Sequence, residues 1–220
     1  MLRITRKPSR EPFTQETKKL SLGVADLVYE GGSSRRVLSI DIERKPMLVE
    51  SWGLFDQNHS IGQIREPSGM ISYAAVWEGE ESNPFFRSIY HDGKERMLRG
   101  VWTLLDDADV VIGWNSKAFD IKHINTEFSL IGLGEPSPYK QIDLLQVCRR
   151  KFKHDSNKLD WISQRYFKGK KLDYGQSHSD LLRGCEAGDM EAMRALKEYN
   201  IQDVLLPLGI YKEWKEMGWL

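Results

Sequence analysis

Two acidic residues end an apolar stretch near residue 40, in the sequence Val37-Leu-Ser-Ile-Asp-Ile-Glu43. Its β-branched and aliphatic residues predict a strand, and side chains on a strand alternate between two faces. Asp41 and Glu43 therefore point to the same side. Neighbouring carboxylates beside an apolar run repel each other and resist the loss of water, and a divalent cation between them relieves both effects. The pattern fits a metal-binding strand, and it also fits an exposed strand end with two solvated acids.

A third acid, Asp120, follows a short apolar segment of the chain. Residues 109–114 contain the run Val-Val-Ile, which predicts a buried parallel strand. The sequence Asn115-Ser-Lys-Ala-Phe-Asp120 comes next and leads into a predicted helix. Sites in open α/β sheets lie at the carboxyl ends of strands, so Asp120 could reach a site at that edge. Asp120 could equally serve only as the N-cap of its helix.

A tyrosine and an acid, Tyr199 and Asp203, lie four residues apart in a long helical pattern over residues 190–216. This spacing places both side chains on one face of the helix. The residues around them are largely apolar, and an acid in such surroundings needs a partner for its charge. Alternatively, Asp203 lies on the outer face of the helix and is solvated.

Residues 140–171 form a basic segment in a protein whose formal net charge is zero. Ten Lys and Arg residues stand against three Asp residues, so the segment carries about +7 (ten minus three). Cations interleaved with aromatic rings are typical of a path for single-stranded nucleic acid. A charge run of this kind is also typical of a solvated protein surface. The interleaved rings are Phe152, Trp161, Tyr166 and Phe167.

Composition limits the class of protein. The 220 residues, 40% of them hydrophobic, suffice for one large domain or for a domain with an appendage. Two cysteines without CxxC or Cys/His spacing argue against a disulfide framework or a structural zinc site. The sequence contains no run of about 18 apolar residues, so we expect no membrane-spanning helix. We expect a basic appendage or linker over residues 1–35 and one main domain over residues 36–220.

The main domain shows strand patterns followed by alternating strands and helices. We expect its first three strands to form an antiparallel meander, and Pro207 to kink or split the last helix near Leu206. This order predicts an α/β fold with a mixed central sheet flanked by helices. The strands are expected over residues 37–43, 47–55, 70–77 and 109–114, and the helices over 94–105, 120–130, 144–152, 159–167 and 190–216.

Taken together and in this order, the acidic motifs resemble those of the DEDD (DnaQ-like) superfamily of 3′–5′ exonucleases, in its tyrosine subclass (DEDDy). The resemblance covers roughly residues 36–218 and extends to the proofreading domains of family B DNA polymerases and to stand-alone phage or bacterial relatives. It implies a ribonuclease H-like fold. The matching motifs are Asp-x-Glu at Asp41 and Glu43, Asn-x(2–3)-(Phe/Tyr)-Asp at Asn115 through Asp120, and Tyr-x(3)-Asp at Tyr199 and Asp203.

The chain departs from the family's pattern at two positions. Arg44 stands where relatives often carry Thr, and Pro207 follows Asp203 by one helical turn. Neither residue replaces an acid of the three motifs, but Pro207 bears on the geometry of the helix that carries Asp203.

The resemblance implies a role for each acidic residue. Four carboxylates would hold two Mg²⁺ or Mn²⁺ ions, since oxygen ligands suit these hard cations. Asp41 would bridge both ions. Glu43 and Asp203 would complete the site of the ion that activates water, and Asp120 would serve the ion that faces the leaving oxygen. Tyr199, whose ordinary pKa near 10 makes it a poor base at neutral pH, would orient the attacking water.

Three further residues are candidates for contact with the substrate. The resemblance implies that Asn115 and Phe119 hold the terminal nucleotide, although Phe119 could instead belong to the core. The step Ser156-Asn-Lys-Leu159 into a helix also resembles the family, and Lys158 could contact a phosphate or simply be solvated.

Two polar residues outside the motifs are expected to have no part in the chemistry. Asp143 precedes an apolar helical pattern, so we expect it to be the N-cap of that helix. His178 stands alone outside the motifs, and we expect it to be an isolated surface residue.

The function that we expect is hydrolysis of the terminal phosphodiester at the 3′ ends of single-stranded DNA, with release of nucleoside monophosphates, in DNA replication or repair. The partners would be DNA 3′ ends and a polymerase or replisome acting in trans, without a membrane. A 3′–5′ exoribonuclease and a non-catalytic module that binds nucleic-acid ends are the alternatives. We expect a cytoplasmic location, in a bacterium or in a virus-infected host cell.

Overall fold

The computed structural model describes residues 35–55, 57–172 and 177–220. Residues 1–34 of the predicted basic appendage lie outside this part of the chain. Arg35–Leu220 form one unit, built on a five-stranded sheet with helices on both of its faces. None of the helices in the described ranges is both long enough and apolar enough to cross a membrane.

Strands dominate the first part of the described chain, and helices dominate the rest. The strands are β1 (Val37–Lys45), β2 (Leu48–Val49), β3 (Ile64–Glu66), β4 (Gly69–Trp77), β5 (Phe85–Ser88), β6 (Val110–Gly113) and β7 (Lys140–Asp143). The helices are α1 (Ile89–Asp92), α2 (Lys94–Asp107), α3 (Asp120–Leu130), α4 (Leu144–Lys151), α5 (Leu159–Phe167), α6 (His178–Glu186) and α7 (Met190–Glu216).

The central sheet is mixed, as the sequence predicts. Its strand order is β5-β4-β1-β6-β7. The pairs β5–β4 and β4–β1 are antiparallel, whereas β1–β6 and β6–β7 are parallel. The carboxyl ends of β1, β6 and β7 consequently lie at one edge of the sheet, and this edge carries the candidate site.

The predicted strand over residues 47–55 is wrong. Only Leu48–Val49 are in a strand, paired with β3 in a separate two-stranded hairpin. Pro46 and Gly53 flank this stretch, and both residue types disfavour a regular strand interior. The third strand of the meander is instead β5, which the sequence analysis missed because it is only four residues long and directly follows Pro84.

The alternation of side chains along β1 divides the core into two layers. Leu38, Ile40 and Ile42 face one layer, where α2 and α3 cover the sheet. Ser39, Asp41 and Glu43 face the opposite layer, because successive side chains on a strand point in opposite directions. That second layer contains α4, α5 and α7.

Helix α7 is continuous over Met190–Glu216 and contains Pro207, so the predicted split near Leu206 is wrong. Proline has no N–H group, and the carbonyl of Asp203 therefore lacks its usual intrahelical donor. Packing compensates for this loss, because Val204, Leu206 and Leu208 are all at most 2% exposed. The helix thus stays intact where its most buried turn crosses the sheet.

Candidate active site and metal centre

Three carboxylates from two distant parts of the chain converge at one face of the sheet. Asp41 and Glu43 come from β1, and Asp203 comes from α7. One oxygen atom from each side chain lies within 4.8 Å of the others, so the group could hold a metal ion. The strand supplies two of these acids because residues i and i+2 share a face, and α7 packs across that same face.

Buried hydrogen bonds fix α7 to the sheet beside the acids. The Ser39 hydroxyl donates to the carbonyl oxygen of Val204 at 2.7 Å. The Asn200 amide donates to Asp41 Oδ2 at 3.0 Å, while its carbonyl oxygen accepts from the Ser72 hydroxyl at 2.9 Å. Asn200 therefore orients Asp41 directly. It was missed by the sequence analysis, although an asparagine one turn before Asp203 in an apolar helix was a usable signal.

Asp120 lies next to this group at the start of α3. It is 3% exposed, and its Oδ1 atom accepts a hydrogen bond from the backbone N–H of Ile42 at 3.2 Å. That N–H group is accessible because the parallel pairing of β1 with β6 ends at Ser39. The contact explains why Asp120 faces the acid-bearing end of β1. The N-cap of α3 is Phe119, so Asp120 is not the capping residue.

Burial raises the pKa of all four acids, and neighbouring carboxylates raise it further at Asp41, Glu43 and Asp120. Burial is the largest cause at each, and it raises the pKa of Glu43 to about 8 and that of Asp120 to about 7. The pKa of Asp41 lies well above its ordinary value because of burial and the nearby charges of Asp120 and Glu43. Burial also raises the pKa of Asp203. Four neighbouring acids with raised pKa values need positive charge in order to ionise together.

One positive charge already lies at the cluster. Lys171 Nζ is 2.6 Å from Asp203 Oδ2, 3.5 Å from the Tyr199 hydroxyl and 5.3 Å from the centre of the Tyr199 ring. The other oxygen of Asp203, Oδ1, is buried and accepts no hydrogen bond from the described residues. A buried carboxylate oxygen without a donor, in an all-oxygen ligand set, fits a hard divalent cation.

Lys171 belongs to the basic segment of the sequence, but the sequence analysis did not assign it to the site. Its backbone N–H donates to Asp160 Oδ1 on α5 at 2.8 Å. The Gln202 side chain on α7 donates to the carbonyl oxygen of Lys170 at 3.0 Å. Helices α5 and α7 thereby hold the backbone of Lys171 in place, and its ammonium group reaches Asp203.

Tyr199 lies between Lys171 and a histidine. Burial and the charge of Asp203 raise the pKa of Tyr199, so its hydroxyl stays protonated at neutral pH. The His178 ring is 6.2 Å from the Tyr199 ring, and its Nε2 is 3.4 Å from Glu43 Oε2. Burial lowers the pKa of His178. His178 is exposed, as expected for a surface residue, but the expectation that it is isolated is wrong, since it adjoins Glu43 and Tyr199.

The loop before α3 carries the other candidate residues of this motif. Asn115 adopts a left-handed backbone with φ of 65°, and its carbonyl oxygen accepts from the N–H of Phe119 at 3.1 Å. The Phe119 side chain is 42% exposed, with its ring edge-on to His123 at 4.6 Å. Phe119 is thus presented at the surface rather than placed in the core. Arg44 contacts His123 at 3.0 Å from the other side.

Lys158 belongs to a different part of the chain from Asn115 and Phe119, because it lies at the start of α5 and not in the loop before α3. It is the exposed N-cap residue of α5, and its backbone N–H donates to the Ser156 hydroxyl at 3.3 Å. Among the described residues, the lysine that contacts an acid of the cluster is Lys171.

Asp143 holds the loop before α3 from the end of β7. Its carboxylate accepts hydrogen bonds from the N–H groups of Asn115 and Lys117, each at 3.1 Å. It also accepts from Leu145 and Gln146, which confirms the predicted N-cap role at α4. One buried carboxylate therefore fixes both the loop and the helix.

We expect Asp143→Ala to lower the free energy of unfolding by about 2–4 kcal/mol, because four backbone donors lose their acceptor. Asp189→Ala is the matched control, since Asp189 caps α7 but accepts from only two N–H groups. It should lose about 1 kcal/mol. Urea denaturation of both variants measures the difference, and equal losses would contradict a structural role for the bonds to Asn115 and Lys117.

Comparison with known proteins identifies the family. A model of the RNase_H superfamily matches residues 63–215, which include Asp120, Tyr199 and Asp203. The DNA polymerase delta catalytic subunit of Candida albicans is 25% identical over 229 aligned positions, spanning 80% of this chain and 20% of that protein. The family B DNA polymerase of the archaeon Pyrobaculum calidifontis shares the fold, with a TM-score of 0.61 and 17% identity over 83% of this chain and 25% of that one.

Both relatives are much longer proteins, and this chain spans a fifth to a quarter of their length. The match to the superfamily model covers more than half of the chain, and the observed mixed sheet flanked by helices is the ribonuclease H-like architecture. The chain belongs to the RNase_H superfamily.

Proposed function

We propose that this protein is a 3′–5′ exonuclease of the DEDDy subclass, which removes nucleoside monophosphates from the 3′ ends of single-stranded DNA. The observation that carries the proposal is the convergence of Asp41, Glu43 and Asp203 within 4.8 Å, with Asp120 bonded to the same strand. Membership of a nuclease superfamily and similarity to DNA polymerases support nuclease activity.

In this proposal the four carboxylates hold two Mg²⁺ or Mn²⁺ ions. When bound, such ions lower the pKa of a water molecule and stabilise the charge that develops on the leaving oxygen. Asp41 would serve both ions, Glu43 and Asp203 would serve one of them, and Asp120 would serve the other. Asn200 keeps the Asp41 carboxylate oriented through the bond at 3.0 Å.

The remaining residues of the site position the substrate and the attacking water. The protonated hydroxyl of Tyr199 can donate a hydrogen bond, so we assign it to orienting the water rather than to removing its proton. The ring of Phe119 and the side chain of Asn115 are assigned to the terminal nucleotide. The Lys171 ammonium group, 3.5 Å from the Tyr199 hydroxyl, supplies positive charge where the phosphate would lie.

The test is digestion of labelled DNA and RNA strands whose 3′ or 5′ ends are blocked, with and without Mg²⁺ or Mn²⁺. We expect mononucleotides only when the 3′ end is free and a divalent ion is present. Faster digestion of RNA than of DNA would instead support the exoribonuclease. Binding of DNA ends without hydrolysis in either metal would overturn the proposal in favour of a non-catalytic module.

Tyr199→Phe should lower the turnover rate about ten- to a hundredfold, because it removes one hydrogen bond from the water that attacks. Metal affinity, measured by calorimetry, should stay near that of the wild type. Tyr211→Phe is the control, since Tyr211 lies on the same helix, packs in the core and is 6% exposed. An unchanged rate for Tyr199→Phe would refute the assignment.

The wider setting of the activity forms part of the same proposal. Residues 36–220 would be the exonuclease domain and residues 1–35 a basic appendage. The enzyme would act in DNA replication or repair in the cytoplasm of a bacterium or of a virus-infected cell, on ends presented by a polymerase or replisome.

A further inference from the structure

The outer surface of α5 carries cations around an exposed tryptophan. Trp161 and Arg165 lie one turn apart on one side of α5, and Lys158 and Lys168 are the residues at its N-cap and C-cap. All four are exposed, and Trp161 is 38% exposed despite its size. The stripe from Lys158 to Lys168 is about 15 Å long at the rise of an α-helix. We call these four residues the α5 stripe.

Trp161, the tryptophan of the α5 stripe, is fixed in place by a neighbouring arginine. The guanidinium group of Arg165 lies 4.4 Å from the centre of the Trp161 ring. This cation–π contact fixes the ring against the helix, while 38% of the residue stays exposed. Asp155 is 3.6 Å from Arg165, but it is 87% exposed and neutralises little of the charge. Lys158 and Lys168 form no ion pair within the described residues.

Helix α5, which carries the stripe, is also linked to the candidate active site by a chain of hydrogen bonds. Asp160, the residue before Trp161, accepts from the backbone N–H of Lys171 at 2.8 Å. Lys171 in turn contacts Asp203 in the acidic cluster. The first turn of α5 is thus linked to the acidic cluster through Lys171, and Trp161 lies in that same turn.

We propose that the α5 stripe binds the single-stranded nucleic acid on the 5′ side of the nucleotide being removed. This inference rests on the proposed function. Its lysines would contact phosphates, and the exposed part of the Trp161 ring would stack on a base. The charge of the stripe favours a polyanion over an apolar partner, and a stacking ring favours unpaired bases over a duplex. Long strands would then bind more tightly than short ones.

The test compares long and short single strands in variants of the stripe, using the full chain. Binding of a fluorescent oligonucleotide is measured in an Asp41→Asn background, which prevents cleavage, over a range of salt concentrations. We expect Trp161→Ala to weaken binding about tenfold. We expect Lys168→Asn, which suits the left-handed backbone at that position, to reduce the slope of log affinity against log salt by about 0.7.

Arg96→Gln is the matched control for Arg165→Gln. Both arginines are exposed on helices and lie within 4 Å of an aspartate, but α2 covers the opposite face of the sheet from α5. Arg165→Gln should weaken binding of the long strand, and Arg96→Gln should leave both binding and hydrolysis unchanged.

The outcomes separate this inference from the proposed function. With Asp41 restored, the ratio of kcat/KM for a long strand to that for a trinucleotide should fall about tenfold in Trp161→Ala. If wild-type hydrolysis occurs but this ratio and the salt slope do not change, the stripe is not a strand-binding site. If the stripe variants weaken binding but no variant or wild type hydrolyses DNA or RNA, the inference survives and the proposed function fails.

Discussion

Asp41→Asn is expected to lower the rate of phosphodiester hydrolysis by about three to four orders of magnitude. The change keeps the shape of the side chain but removes its negative charge. Asp41 lies in the carboxylate group with Glu43 and Asp203, and its pKa is raised by burial and by the charges of Asp120, Glu43 and Asp203. Under the proposed function Asp41 would be a ligand of both cations, and a neutral amide would hold them more weakly, so the loss should appear in kcat.

The same substitution should not unfold the protein. Removing one of several repelling charges relieves the cluster, so the metal-free variant should be at least as stable as the wild type. Asp107→Asn is the control, because Asp107 lies on α2, on the other side of the sheet. Steady-state kinetics and thermal denaturation measure both effects. Full activity in a folded Asp41→Asn variant would refute the assignment of this acid.

Stability without metal should fall as the pH rises from about 5 to about 8, by on the order of 3–5 kcal/mol. The reason is the carboxyl group of Glu43, whose pKa is raised from an ordinary value of 4.5 to about 8. Between these two values the folded protein keeps this proton and the unfolded chain loses it. Unfolding is therefore favoured progressively as the pH rises through that range. Asp120, with its pKa raised to about 7, contributes in the same direction.

Saturating Mg²⁺ or Mn²⁺ should remove most of this dependence, because bound cations favour the ionised carboxylates and stabilise the folded state. Thermal denaturation at several pH values, with chelator or with metal, measures the difference. Glu43→Gln should flatten the metal-free curve. Metal-free stability that rises with pH over the same range, or a curve that metal leaves unchanged, would contradict a cluster of protonated acids.

Local sequence patterns sufficed to predict the relative positions of residues that lie in the same strand or helix. A period of two along β1 places Asp41 and Glu43 on one face, and the spacing of four residues relates Tyr199 to Asp203. The bounds of α3 and α5 agree with the predicted helices 120–130 and 159–167. The family could be anticipated for the same reason, since its motifs are short and lie in order along the chain.

The partners of Lys171 and Asn200 could not be anticipated from local sequence patterns. Lys171 and Asp203 are 32 residues apart, and Asn200 is 159 residues from Asp41. In the sequence Lys171 is one of ten cations in a basic segment, and nothing local distinguishes it from its neighbours. Contacts with α5 and α7, both packed on the sheet, place Lys171 at the acidic cluster.

The most direct test of the acidic cluster is an anomalous difference map from crystals of the full chain grown with Mn²⁺. We predict manganese at the carboxylates of Asp41, Glu43, Asp120 and Asp203, with none there in crystals of Asp41→Asn. Manganese confined to other acids of the protein, with Lys171 still paired to Asp203, would contradict the assignment of this cluster as a metal centre.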